Sequence, residues 1–136
     1  MGAWGTGIFD NDTACDWAYG LEETNDLSLI ESALDKVLNI GGEYLDAGDA
    51  EVALAAAETV ARLKGNWGIR DSYTEAMDKW VETARLTPSQ TIIEKALRAI
   101  ERTLSGPSEL LELWGETEDF IAWEESVKDL NKRLSA

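Results

Sequence analysis

The sequence predicts an all-α fold, and three observations carry that expectation. Apolar residues recur every three or four positions along most of the chain. Helix-start and helix-stop residues fall between those stripes. No segment alternates apolar and polar residues with the period of two that a half-buried strand needs. The expectation is one compact all-α domain over residues 1–136, a bundle of six to seven helices with the N-terminal segment packed on it.

The elements follow in order. Asp10, Asn11 or Asp12 can cap a first helix whose stripe is Ala14, Trp17, Ala18 and Leu21. A second helix follows Asp26, with Ile30, Ala33, Leu34, Val37 and Leu38 on one side, and Gly41-Gly42 ends it. After a short turn bearing Tyr44 and Leu45, Gly48-Asp49 is expected to cap a third helix over about 50–64. That helix is Ala-rich and apolar on most sides. Small side chains let neighbouring helices approach closely, so it belongs at the centre.

Gly65-Asn66-Trp67-Gly68 reads as a loop. A fourth helix carries Tyr73, Met77, Trp80 and Ala84. Thr87-Pro88-Ser89-Gln90 forms a capping-box pattern, with Thr87 as N-cap and Pro88 at the first helical position. The helix it starts buries Ile93, Ala96, Leu97, Ile100 and Leu104, and Ser105-Gly106-Pro107 stops it. A short helix over 108–114 precedes a long one marked by Phe120, Trp123, Val127, Leu130 and Leu134. Gly115 is a kink or a break between them.

Composition narrows the chemistry. The chain has no His, so no imidazole base can serve a Ser or Cys nucleophile, and an HExxH zinc site is excluded. Its single cysteine, Cys15, excludes an intrachain disulfide and any cysteine cluster. No run of apolar residues is long enough to span a membrane, and no secretory leader is visible, so a cytoplasmic protein is expected. The 27 acidic residues outnumber the 12 basic ones, for a formal net charge of −15. Such a balance disfavours nucleic acid and anionic membrane surfaces, which are held by Lys and Arg. The excess is uneven: residues 1–65 hold 13 acids and three bases, residues 66–136 hold 14 and nine. An acidic first half can attract a basic partner or divalent cations.

The candidate site residues cluster near the start of the chain. Asp10, Asp12 and Asp16 are candidate ligands for a hard cation, with Asp12 and Asp16 on one helical face. Ala14 breaks an EF-hand pattern, and ordinary capping and dipole complementation, with Asp16 exposed, is the weightier account of carboxylates at a helix start. Gly2, Gly5 and Gly7 do not make a phosphate loop, because no strand precedes them and three Asp follow. They supply turns between Trp4 and Phe9. The Met1-Gly2 myristoylation pattern and the Asn11-Asp12-Thr13 sequon are chance matches. Cys15 reads as a buried or half-buried small apolar residue, since the neighbouring Asp residues oppose a thiolate. Of the six Trp, Trp17, Trp80 and Trp123 fall on core stripes. Trp4, Trp67 and Trp114 each precede Gly and are the better candidates for a surface or cleft, although burial in the core is the first reading for any single Trp.

The opening Gly2-Ala3-Trp4-Gly5-Thr6-Gly7-Ile8-Phe9-Asp10-Asn11-Asp12-x-Ala14-x-Asp16-Trp17 resembles a small bacterial family catalogued as domain of unknown function 4259. Ala53-Leu54-Ala55-Ala56-Ala57-Glu58 and Ser108-Glu109-Leu110-Leu111-Glu112-Leu113-Trp114 also look like it. The resemblance implies a stand-alone domain of about this length. It brings no activity, cofactor or catalytic residue.

The expectation for function is a non-enzymatic acidic binding module for a basic protein partner, one form being an immunity-type protein that neutralises a basic toxin. No cofactor and no catalytic residue is assigned, and the oligomeric state is open. The binding residues expected are Trp4, Phe9, Asp10, Asn11, Asp12, Asp16, Trp67 and Trp114. The alternative is a divalent-metal-binding protein or metal-dependent hydrolase using Asp10, Asp12, Asp16 and either Glu109 or Glu112.

Overall fold

The computed structural model of the protein describes residues 3–136, and the Met1-Gly2 pattern lies outside them. Among the described residues there are seven α-helices and no strand, so the fold is all-α. They are α1 (Asp12–Tyr19), α2 (Ser28–Leu38), α3 (Ala47–Leu63), α4 (Glu75–Ala84), α5 (Gln90–Thr103), α6 (Glu109–Gly115) and α7 (Phe120–Ser135). A 3-10 turn, Gly20–Glu23, extends α1.

The Ala-rich α3 is central, touching every other helix. Ala50, Ala53, Ala55, Ala56, Ala57 and Ala61 are all buried, and their small volume brings six neighbours onto one axis. The larger side chains come from those neighbours: Leu21, Ile30, Leu34, Met77, Ile100, Leu130 and Leu134 are fully buried. Each such side chain contributes about 1.5–3 kcal/mol on leaving water, so the shell supplies more apolar area than the axis.

Helix starts differ from expectation in two places. α3 begins at Ala47, capped by Asp46 rather than by Gly48-Asp49. Asp46 is extended, its carboxylate accepts from the Gly48 amide at 3.3 Å, and Glu109 accepts from the Ala47 amide at 2.8 Å. An acceptor from α6 thus satisfies an α3 amide, and sequence spacing does not reveal it. α5 is capped by Ser89, whose hydroxyl accepts from the Ile92 amide at 3.2 Å. Pro88 therefore precedes the cap instead of following it. The buried face of α5 runs through Ile92, Ala96, Ala99, Ile100 and Thr103, leaving Ile93, Leu97 and Leu104 half-buried.

Two expectations about Trp change. Trp17 is only half-buried against the core. Trp114, a candidate for a surface or cleft, takes the core position instead: it is buried and stacks on Trp123 with centroids 5.9 Å apart and planes 10° from parallel. Gly115 ends α6, so it is a break, and the turn after it folds Trp114 back onto α7.

Arg102 latches two loops together. Its Nε donates to the Gly41 carbonyl (2.9 Å), Nη1 to Ser105 (2.8 Å), and Nη2 to Glu43 (2.5 Å) and Pro107 (3.0 Å). Beside it, the Leu45 amide donates to the Pro107 carbonyl and the Glu109 amide to that of Leu45.

Candidate functional site

The N-terminal segment is folded around its own Asp10. The Trp4 amide donates to the Asp10 carbonyl at 2.9 Å, and the Gly7 amide donates to Asp10 Oδ2 at 2.9 Å. A side chain at Gly7 would bring its Cβ to 2.9 Å from that oxygen, and one at Gly5 would come closer still. The glycines are needed for close approach to a carboxylate, not to a phosphate. Asn11 then caps α1, its Oδ1 accepting from the Ala14 amide at 2.8 Å while its Nδ2 donates to the Ile8 carbonyl. Phe9 and Asn11 are buried beneath this loop.

The outer side of the segment carries an exposed aromatic pair. Trp4 and Tyr73 lie 4.9 Å apart at a 45° tilt, and they are 47% and 48% exposed. Tyr73 lies just before α4, not in it as expected, in a turn organised by Asp71, whose Oδ1 accepts from the Tyr73 and Thr74 amides. Cys15 of α1 lies beside Tyr73, and its Sγ donates to the Phe9 carbonyl at 3.3 Å. Burial pushes its thiol pKa up, and the carboxylates of Asp12, Asp16, Asp10 and Asp71 push it further. These four carboxylates therefore act as one negative field on Cys15, whose Sγ is also 3.9 Å from the Tyr73 carbonyl.

Next to this face lies a cleft of about 100 Å³, between the N-terminal segment, α3, the turn before α4, and α7. Gly7, Phe9, Asp10, Asp71, Thr74 and Ser126 are among its walls, with Glu58, Arg62, Asp129 and Arg133. Its size admits a few waters or one side-chain head, whereas pockets for drug-sized ligands take about 300 Å³ or more.

Its floor is an ion network. Arg62 donates through Nε to Glu58 (3.0 Å), through Nη1 to Asp78 (2.5 Å) and through Nη2 to the Ile69 carbonyl (2.6 Å). Arg133 grips both oxygens of Glu58, at 2.6 and 2.8 Å, and reaches Asp129 through Nε at 2.9 Å. The Thr74 hydroxyl donates to the second oxygen of Asp78 at 2.7 Å. Burial lowers the Arg133 pKa, but the hydrogen bonds and charge of Glu58, then those of Asp129, outweigh it and leave it raised. Gly68 makes room for this guanidinium, since a Cβ there would stand 2.8 Å from Nη1.

Every guanidinium nitrogen of Arg62 and Arg133 thus already donates. By contrast, Asp10 Oδ1 and Asp71 Oδ2 accept no hydrogen bond among the described residues. Both guanidiniums are paired with carboxylates while the rim keeps carboxylate oxygens to spare, which suits a cation.

The expected site residues are only partly brought together. Phe9 and Asp10 border the cleft, and Trp4 stands beside Tyr73. Asp12 and Asp16 are exposed along α1. Trp67 is half-buried under Arg70, whose guanidinium carbon is 4.3 Å from the ring centroid, with Arg62 at 5.5 Å. Trp114 lies on the other side of the N-terminal segment, lining a void of about 10 Å³. Among the described residues no three His, Cys, Asp or Glu side chains are grouped to hold a metal ion. Glu109 is engaged with the Ala47 amide, and Glu112 with the Tyr44 hydroxyl, whose pKa is pushed up to about 12 chiefly by that hydrogen bond.

Glu58, Arg62, Asp71, Tyr73, Asp78 and Arg133 escaped sequence reasoning. One signal was available: Glu58 and Arg62, four apart, are the charges in the Ala-rich stretch 53–63.

No helix is long and apolar enough to cross a membrane among the described residues. Nothing matches the chain among curated proteins or among solved structures. One family does match, over residues 2–126, and its opening motif is the loop that wraps Asp10 and borders the cleft. The chain belongs to the family described as Domain of unknown function (DUF4259).

Proposed function

We propose that the protein is a non-enzymatic, cytoplasmic, acidic binding module for a basic protein partner, engaged through the face built by its N-terminal segment. One observation carries this reading: the exposed Trp4–Tyr73 pair adjoins Cys15, whose Sγ is 3.9 Å from the Tyr73 carbonyl and whose thiol feels the charges of Asp10, Asp12, Asp16 and Asp71. None of these four is in an ion pair with Lys or Arg among the described residues. Aromatic faces attract cations, by about 0.5–1 kcal/mol at exposed sites, and unpaired carboxylates steer a basic partner towards them.

The chain's own cations do not compete for this surface. Lys36, Arg62, Arg70, Lys79, Lys95, Lys128 and Arg133 are held in internal ion pairs. Lys64 and Arg102 donate to backbone carbonyls. This leaves few groups for nucleic-acid phosphates. An immunity-type protein that neutralises a basic toxin is the specific form favoured by the same charge logic.

The test is a calorimetric titration with a partner isolated by affinity capture and identified by mass spectrometry. Binding should weaken steeply between about 0.1 M and about 1 M salt, as the screening length falls from about 10 Å to about 3 Å. An acidic partner, or affinity indifferent to salt, would refute the reading.

A further inference from the structure

We infer that the cleft beside Asp10 and Asp71 is the receptor for one cationic side chain, arginine or lysine, of the partner. The inference rests on the basic-partner reading and adds where and how the contact is made. Four observations converge. The cleft's open space, about 100 Å³, fits a side-chain head and no larger ligand. Its two arginines are paired with three carboxylates, Glu58, Asp78 and Asp129, so the floor has no excess positive charge with which to attract an anion. Asp10 and Asp71 each keep one oxygen free of hydrogen bonds among the described residues.

The fourth observation concerns the flanks. Tyr73 follows Asp71 by two residues and Trp4 is bonded through its amide to the Asp10 carbonyl, so the aromatic pair is tied to both carboxylates. Ile69, another wall residue, is 81% exposed. A long cationic side chain would lay its methylene stem against Ile69 and bring its head to the carboxylates. There a charge-assisted hydrogen bond replaces the waters on Asp10 and Asp71.

The probes are two short capped peptides, one with a single arginine and one with a single lysine, and a citrulline peptide as the neutral control. Backbone amide shifts and Trp fluorescence follow binding to the full chain. Asp10→Asn and Asp71→Asn keep the acceptors used by the Gly7, Tyr73 and Thr74 amides, and circular dichroism checks that the fold is retained. Glu22→Gln with Glu23→Gln removes two exposed charges elsewhere.

Saturable shifts at Gly7, Asp10 and Asp71 are expected with the cationic peptides, and not with citrulline. The combined Asp10→Asn, Asp71→Asn variant should weaken binding by about tenfold. The Glu22→Gln, Glu23→Gln control should change it by less than about twofold. Equal weakening in both variants, or shifts confined to another surface, would overturn the cleft while leaving the basic-partner reading standing. No saturable shift with either cationic peptide would overturn the cleft too, and the partner titration above then decides the wider reading on its own.

Discussion

Glu58 and Asp71 border the same cleft, yet they live under opposite rules. Glu58 is 3% exposed and accepts from two guanidiniums, while Asp71 is exposed and holds one oxygen out to solvent. A charge buried at this depth persists only with a partner, and removing the partner costs more than the pair ever contributed. A charge on the rim contributes little to stability and is free to serve something outside the chain. Floor and rim therefore divide the work: the floor fixes where α3, α4 and α7 stand, and the rim is left to bind.

The largest expected effect is on the floor. Arg62→Met takes from buried Asp78 its closest guanidinium and leaves Glu58 to Arg133 alone, and should destabilise the fold by about 3 kcal/mol, read from urea unfolding. A loss below about 1 kcal/mol would break the comparison, since that is the scale of an exposed pair. Next comes the start of α1. Asn11→Ala removes the α1 cap and should cost about 1 kcal/mol, whereas Asn11→Asp keeps the acceptor but loses the donation to Ile8 and should recover only part of it.

On the rim the expectation reverses. Asp10→Asn with Asp71→Asn should leave stability within about 0.5 kcal/mol of the parent chain, measured by the same unfolding experiment. A large loss there would mean that the rim is structural after all. The smallest effect sharpens the picture of the negative field. Asp12→Asn with Asp16→Asn should lower the raised Cys15 pKa, moving the pH profile of thiol alkylation to lower pH. In the parent chain the folded thiol holds its proton above the unfolded value of 9.0, so its contribution to stability is intact below that pH and fades as pH rises through the folded value.

Much of this architecture was legible because helices write their period into the chain. The stripes at Ile30 to Val37 and Trp123 to Leu134 are buried where spacing puts them. The starts at Asp46 and Ser89 were misplaced because each neighbourhood holds several residues able to cap, and backbone conformation, not identity, chooses among them. The rim was half legible, through Trp4 and the Asp residues. The floor was not. Glu58 and Arg62 look like any solvated i, i+4 pair, and what buries them is the arrival of Asp78 and Arg133 from distant parts of the chain. Trp114 misled for a related reason: a following Gly marks a helix end, but says nothing of which way the ring turns.

Arg102 has a consequence for how the molecule opens. One guanidinium holds the carbonyls of Gly41 and Glu43 against those of Ser105 and Pro107, so neither loop can lift without freeing the other. In native-state hydrogen exchange the amides of Leu45 and Glu109, each bonded across this junction, should therefore exchange as one cooperative unit. In Arg102→Gln they should exchange faster and independently, with the buried amides of α3 unaffected.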